Sequence, residues 1–299
     1  MDSLKRRFAL LAIVPITLLL TPTAGEPGRL PLAFAPGEKL TYSVTWSVFD
    51  AGEVTAALQQ ASNGAQDDYE FVTTARSHGF VSVLYNLDDE FRSRFNPDTL
   101  CSGGISKRVV EGHRRKQTDI VFDRTRELAI LDERNLAKPN EPAKHDQHPI
   151  PSCVQDVVSA FYFLRSQPMK VGDRITMPVN DGSKTTQVTV EVQAREQINT
   201  PLGRRYAFRV EPTVFGSLYK RQGRMLIWFS DDERRLPLRI KAVISVGTIT
   251  GTLKSVQGSP AIGVSNGGSA AISTGDSSDA VRDGSRQNQP SAAKGPDRE

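Results

Sequence analysis

The residues best equipped for chemistry are few and scattered. His145 and His148 bracket Asp146 in a His-Asp-Gln-His run, and two imidazoles with a carboxylate can bind a divalent metal. A metal site needs further ligands, and none clusters with this pair. The run sits in a proline-rich stretch from Lys138 to Pro151, so a solvated loop is the expected state. Asp156, Ser159 and Tyr162 place a carboxylate, a hydroxyl and a phenol at helical spacing. Ser159 is not in a Gly-x-Ser-x-Gly elbow and has no histidine near it in sequence. Helix capping and buried hydrogen bonds account for all three. The charged run Ser230 to Arg235 could be a weak cation site, but it reads better as a hairpin tip between two strands. Gly103-Gly104 and Gly267-Gly268 lack the lysine and hydroxyl of a phosphate loop. No catalytic residue, metal ligand or cofactor site is assigned.

Cys101 and Cys153 are the two cysteines of the 299-residue chain. In an oxidising compartment two cysteines usually pair, and a disulfide between them is expected. Closing that loop would stabilise the fold by about 4 kcal/mol in the chain-entropy model.

The compartment follows from the N-terminus. Lys5, Arg6 and Arg7 precede a 13-residue apolar run from Phe8 to Leu20, and Thr21-Pro22-Thr23-Ala24-Gly25 follows it. A basic start, a short apolar stretch and small residues are the three parts of a secretory signal peptide. The run falls short of the roughly 20 residues of a membrane-spanning helix. Cleavage near Ala24 is expected, giving a periplasmic or secreted protein. No cysteine follows the apolar run to carry a lipid anchor, and no later segment is long and apolar enough to span a membrane. The whole chain carries a formal charge of +4. Residues 1–24 hold three basic residues and one acidic one, so the mature chain is left nearly balanced. Its basic residues are spread through strands and turns, which argues against nucleic acid as a partner.

The elements that must position these residues are mostly strands. Leu40, Tyr42, Val44, Trp46 and Val48 alternate with Thr41, Ser43, Thr45 and Ser47, giving one apolar and one polar face. The same alternation runs through 69–75, 118–122, 186–192, 206–210, 225–229, 238–244 and 249–253. Turn residues separate the runs, among them Asp50-Ala51-Gly52, Asn63-Gly64, Asp181-Gly182 and Asp231-Asp232. About ten short alternating strands predict an all-β fold, a curved antiparallel sheet or half-open barrel. One helix is expected at about 152–166, opened by a Ser152/Gln155 capping box. Val154, Val157, Val158, Phe161 and Leu164 form one face, with Ala160 and Phe163 on the other and only Gln155, Ser159 and Tyr162 as a polar stripe. A helix apolar nearly all round is buried, so the sheet is expected to wrap around it. Residues 257–299 are polar, small and without aromatics, a composition that does not support a packed core.

Three segments together resemble one family. They are Phe34-Ala35-Pro36-Gly37-Glu38-Lys39-Leu40-Thr41-Tyr42 with Ala51-Gly52, the run Val154 to Arg165, and Ile227-Trp228-Phe229-Ser230-Asp231 with Arg235-Leu236-Pro237-Leu238-Arg239 and Gly247. On these residues the chain is similar to the DUF3108 family of exported bacterial proteins of unknown function. That resemblance implies a domain at about 33–256 and assigns no reaction. A weaker, architectural similarity is to the LolA/LolB type of half-barrel, whose members hold lipid chains in their concave face while carrying periplasmic lipoproteins.

The resulting expectation is a non-catalytic binding or carrier module for a lipid, a lipoprotein or another apolar envelope ligand. Two other classes stay open, an assembly factor contacting envelope proteins and an enzyme of unknown type. Candidate pocket-lining or helix-anchoring residues are Trp46, Phe71, Gln155, Asp156, Ser159, Tyr162 and Trp228.

Overall fold

The computed structural model describes residues 32–62, 68–213 and 223–258. The predicted signal peptide, the polar tail from 259 onward and the Asn63-Gly64 turn lie outside them. The strands are β1 (Lys39–Trp46), β2 (Phe49–Gln60), β3 (Tyr69–Ser77), β4 (Asp88–Asn96), β5 (Cys101–Glu111), β6 (Arg114–Asp123) and β7 (Leu128–Asn135). They continue as β8 (Lys144–Pro149), β9 (Arg174–Asn180), β10 (Thr185–Thr200), β11 (Gly203–Pro212), β12 (Arg224–Ser230), β13 (Pro237–Ile244) and β14 (Gly247–Gln257). Helix α1 (Gly79–Leu84) joins β3 to β4, and α2 (Ser159–Arg165) lies between β8 and β9.

All fourteen strands belong to one antiparallel sheet in the order β8-β7-β6-β5-β4-β3-β2-β1-β14-β13-β12-β11-β10-β9. Each half is a meander, and β1 pairing with β14 joins the halves (Tyr42 opposite Leu253). The sheet is not closed by pairing between its two edge strands. The edges nevertheless meet, because Asn180 at the end of β9 lies 2.7 Å from His148 on β8. The β9–β10 turn leans onto the opposite half of the sheet: a Cβ on Gly182 would come within 2.7 Å of Ile120 and 3.1 Å of Leu131.

Strand periodicity explains which side chains face in. Leu58, Phe71, Phe95, Ile105, Ile120 and Leu131 are buried in the first half, while Val188, Val190, Val192, Phe208, Val210 and Ile227 are buried in the second. Helix α2 sits between these clusters. Tyr162 joins the first, Ala160 and Leu164 the second, and Phe161 touches both. That placement is why the helix is apolar all round.

Several expectations are corrected. The described residues form fourteen strands rather than about ten. The helix begins at Ser159, not Ser152, because residues 153–155 are used as extended backbone between two parts of the sheet. Val154 C=O accepts from Ser102 N–H (3.0 Å), Gln155 N–H donates to Pro178 C=O (2.9 Å), and Gln155 C=O accepts from Asn180 N–H (2.8 Å). Asp50-Ala51-Gly52 is strand, not turn. A Cβ on Gly52 would come within 2.2 Å of the Arg76 carbonyl, so glycine there permits close strand approach. The chain reverses instead at Ser47-Val48, where Ser47 has φ 55°. The His145/His148 run is edge strand β8, not a loop. Its two histidines are an odd number of residues apart and point to opposite faces. His145 meets Asp132, and His148 meets Asn180.

The disulfide is present: Cys101 and Cys153 are joined across 52 positions, with Cα atoms 5.3 Å apart. Replacing both cysteines by serine should lower the unfolding free energy by up to about 4 kcal/mol in urea titrations. An unchanged midpoint would show that the hydrogen bonds of residues 153–156 fix this segment without the covalent link.

Candidate functional site

The interior has two ends of different character. At one end, α2 is held by buried polar groups. Asp156 is fully buried. Its Oδ2 accepts from Ser93 Oγ and Ser102 Oγ, each at 2.6 Å. Its Oδ1 accepts from the backbone N–H groups of Val158 (2.7 Å) and Ser159 (3.0 Å). Ser159 Oγ returns the contact by accepting from Asp156 N–H at 2.9 Å. This reciprocal cap stands four residues later than the one expected from Ser152 and Gln155. Gln155 donates from Nε2 to Leu100 C=O at 2.6 Å.

Arg165, at the other end of α2, is fully buried. Its Nη1 and Nη2 donate to the two carboxylate oxygens of Glu38 at 2.6 and 3.0 Å. It also donates to the carbonyls of Ala33 (3.2 Å) and Arg234 (3.1 Å). Its guanidinium lies 5.1 Å from the centre of the Phe34 ring and 5.2 Å from that of Tyr162. Burial disfavours the charged guanidinium, but the Glu38 carboxylate more than offsets this, and Arg165 holds its proton more tightly than usual. Burial pushes the Tyr162 and Tyr42 phenols well above the usual tyrosine range. Phe71 stacks on Tyr162 with ring centres 3.5 Å apart, and Phe34 meets both edge-on. This end is therefore filled.

Further along the sheet the same inward rows become half-buried, before Gly52 on β2 and Asp89 on β4 are buried again. On β2, buried Leu58 gives way to Ala56 and Val54; on β3, buried Phe71 gives way to Thr73 and Ala75; on β4, buried Phe95 and Ser93 give way to Phe91. Cross-strand register keeps them together, with Ala56 opposite Thr73 and Thr73 opposite Phe91. Beside Phe91 stands Lys107. Its Nζ donates to the Asp181 carbonyl at 3.1 Å. Burial holds the Lys107 pKa below the usual lysine range, with Asp156, Asp181 and Glu133 pulling the other way. The result is a half-buried, mainly apolar stretch of the inner face with one amine beside it.

The candidate residues separate into three places. Phe71, Gln155, Asp156, Ser159 and Tyr162 gather at the filled end, where they anchor the helix. Trp46 stands at the far rim, its indole N–H donating to Val246 C=O at 2.9 Å. Trp228 alternates with inward Ile227 and Phe229 and so faces the other side of β12. There its indole N–H donates to Glu196 at 2.6 Å. The two tryptophans thus do not share a pocket with Phe71. Glu38, Arg165, Lys107 and Asp89 were not singled out in the sequence. An arginine closing an apolar helix signals a buried partner, but nothing local points to a glutamate 127 positions away. Among the described residues no group of three or more His, Cys, Asp or Glu side chains forms a metal cage.

Two outcomes follow from these groups. Arg165→Met leaves the Glu38 carboxylate buried without its cation and should cost about 3–5 kcal/mol, with part recovered in Arg165→Met/Glu38→Leu. A single-variant loss under about 1 kcal/mol in urea titrations would contradict the anchoring role. Asp89 is buried and accepts from Val110 N–H at 2.8 Å, and burial pushes its carboxyl up to about 6. A carboxyl that binds its proton more tightly when folded contributes most stability at low pH and loses it as pH rises toward its folded pKa. Asp89→Asn should therefore raise stability above pH 6.5 by about 1–2 kcal/mol and flatten the decline between pH 4 and 6. Lower stability of the asparagine variant at pH 7.5 would refute that assignment.

The model of the family described as "Protein of unknown function (DUF3108)" matches residues 41–254. No curated protein matches the chain. Among solved structures, similarity is found to a beta-barrel-like protein of domain of unknown function DUF1849 from Brucella abortus. Its TM-score is 0.48 at 10% identity, covering 74% of this chain and 97% of that one. A putative exported protein with YmcC-like fold from Bacteroides fragilis NCTC 9343 gives a TM-score of 0.32 at 10% identity, covering 75% and 97%. A hypothetical protein from Chlamydia trachomatis gives 0.33 at 10% identity, covering 77% and 90%. Scores below 0.5 at that identity assign no function. The family match spans most of the chain, and with the strand pattern and the buried helix run inside it, this protein is a member of the DUF3108 family.

Proposed function

We propose that the protein is an envelope-located binding module that holds an apolar, lipid-class ligand in the half-open end of its concave sheet. The observation that carries this reading is a half-buried stretch of the inner face beyond the helix. Leu58, Phe71 and Phe95 are buried against α2, whereas Ala56, Thr73 and Phe91, in register with them on the same strands, stay half-exposed. An apolar concavity with a few polar groups at its wall is the usual form of a small-molecule site. Lys107 would meet the polar end of an acyl ligand. The export signal and the disulfide support an extracytoplasmic location. No helix among the described residues is long and apolar enough to cross a membrane.

Native mass spectrometry of protein purified gently from its own envelope tests the reading. The expected spectrum shows an added mass that is lost on denaturation and identified as a lipid or fatty acid. Thr73→Phe, which adds volume to the half-open end, should abolish the added mass while leaving the unfolding midpoint within about 1 kcal/mol of the unsubstituted protein. An apo mass from the unsubstituted protein under conditions that preserve lipid complexes, or an added mass that Thr73→Phe retains, would overturn the proposal.

A further inference from the structure

The surface at the half-open end carries the molecule's largest concentration of exposed apolar side chains among the described residues, and folding does not require it. Helix α1 buries only Val81. Phe80, Val83, Leu84 and the following Tyr85 are turned to solvent, with Val83 82% exposed. Beside it, the β1–β2 turn presents Val48, 87% exposed, and Phe49. The β13–β14 turn presents Val246. These three connections are neighbours. Phe49 and Phe80 have ring centres 6.3 Å apart. Ser47 N–H donates to Thr248 C=O at 2.6 Å, and the Trp46 indole N–H donates to Val246 C=O. One continuous apolar ridge therefore runs along the rim. Contiguous exposed apolar surface of this kind marks an interaction site.

We infer that this rim docks on a lipid bilayer surface. The shape favours a planar apolar phase, because the side chains stand on the tips of turns and a short helix, projecting outward rather than lining a groove. The chemistry is that of the interface between acyl chains and headgroups. Phe49, Phe80, Val48 and Val83 supply apolar tips. Behind them Trp46 and Tyr85 pair an aromatic body with a polar end, the residue types that settle at headgroup depth. Charge is complementary as well. The β5–β6 turn adjoins α1 through Gly112 N–H donating to Asn86 C=O at 2.8 Å. It exposes His113, and Arg115 just beyond it on β6 is exposed with no ion pair seen among the described residues. Of the nearby acids, Asp88 is paired with Arg76 and Arg108 and Glu111 with Arg114, while Asp50 lies 3.7 Å from His78. Anionic headgroups would thus meet the Arg115 guanidinium. The choice of a bilayer over another apolar partner rests on the proposed lipid-class ligand, since the same rim borders the half-open concavity.

The two tryptophans make the test local. In a Trp228→Phe background, Trp46 alone reports. Vesicles of phosphatidylethanolamine and phosphatidylglycerol with brominated acyl chains should quench Trp46 emission and pellet the protein. Val48→Ser/Phe80→Ser/Val83→Ser in the same background should lose the quenching and partition about tenfold or more weakly. The N-terminal apolar run is common to all variants, so the difference reads the rim. Thr73→Phe should pellet like the unsubstituted protein even if it no longer holds a ligand. Equal quenching and pelleting of the triple serine variant would overturn the inference. So would quenching that stays in the supernatant after vesicles are pelleted, which would leave the ligand-binding reading standing. A dimer in vesicle-free sedimentation that the serine variant converts to monomer would assign the rim to self-association and overturn the bilayer docking.

Discussion

A guanidinium buried in an apolar interior constrains everything around it. Arg165 is fully enclosed together with Glu38, and an unpaired charge in that position would cost several kcal/mol. The partners that satisfy it come from two separate parts of the chain that meet at the end of α2. They are the segment entering β1 (Ala33 and Glu38) and the β12–β13 turn (Arg234). Each must be in place for the others to be tolerated. The pair does not by itself make the fold more stable than an apolar replacement would. It specifies one arrangement, with α2 inserted at one end of the sheet and the first strand brought to the same point.

Asp156 does the same at the start of the helix. Four donors converge on its carboxylate, two of them serines of β4 and β5. The adjacent Cys153–Cys101 link and the main-chain bonds of Val154 and Gln155 stitch the incoming segment between β5 and β9. Residues 153–165 thus fill one end of the concave face and leave Ala56, Thr73 and Phe91 on β2, β3 and β4 only half-buried. The proposed binding face is what this plug leaves uncovered.

Much of the fold is legible in the sequence because alternation is a local signal. β1, β3, β6 and β10–β14 announce themselves by period-two apolar residues. The strands that escape notice do so for physical reasons. β5 opens Cys-Ser-Gly-Gly, where Gly104 is demanded by close approach to Ile120 and Ser102 points inward to serve Asp156. β4 hides its pattern behind inward Ser93. β8 is an edge strand whose polar side chains resist further pairing. The disulfide follows from counting two cysteines in a chain with an expected export signal. The long-range polar contacts are illegible, because Glu38–Arg165 and Ser93–Asp156 depend on how the sheet curves. Trp228 reads like Ile227 and Phe229, because apolar composition does not tell one face of β12 from the other when both are covered.

The central claim is that the sheet is plugged at the α2 end and open to an apolar ligand at the other. A crystal structure of the protein bound to a terminally brominated fatty acid tests it most directly, through the anomalous signal of the bromine. The account predicts bromine inside the concave face beside Thr73 and Phe91, with the Arg165–Glu38 pair and the Phe71–Tyr162 stack undisturbed. Bromine on the outer face of the sheet, or within a cavity opened by displacement of α2, would contradict it.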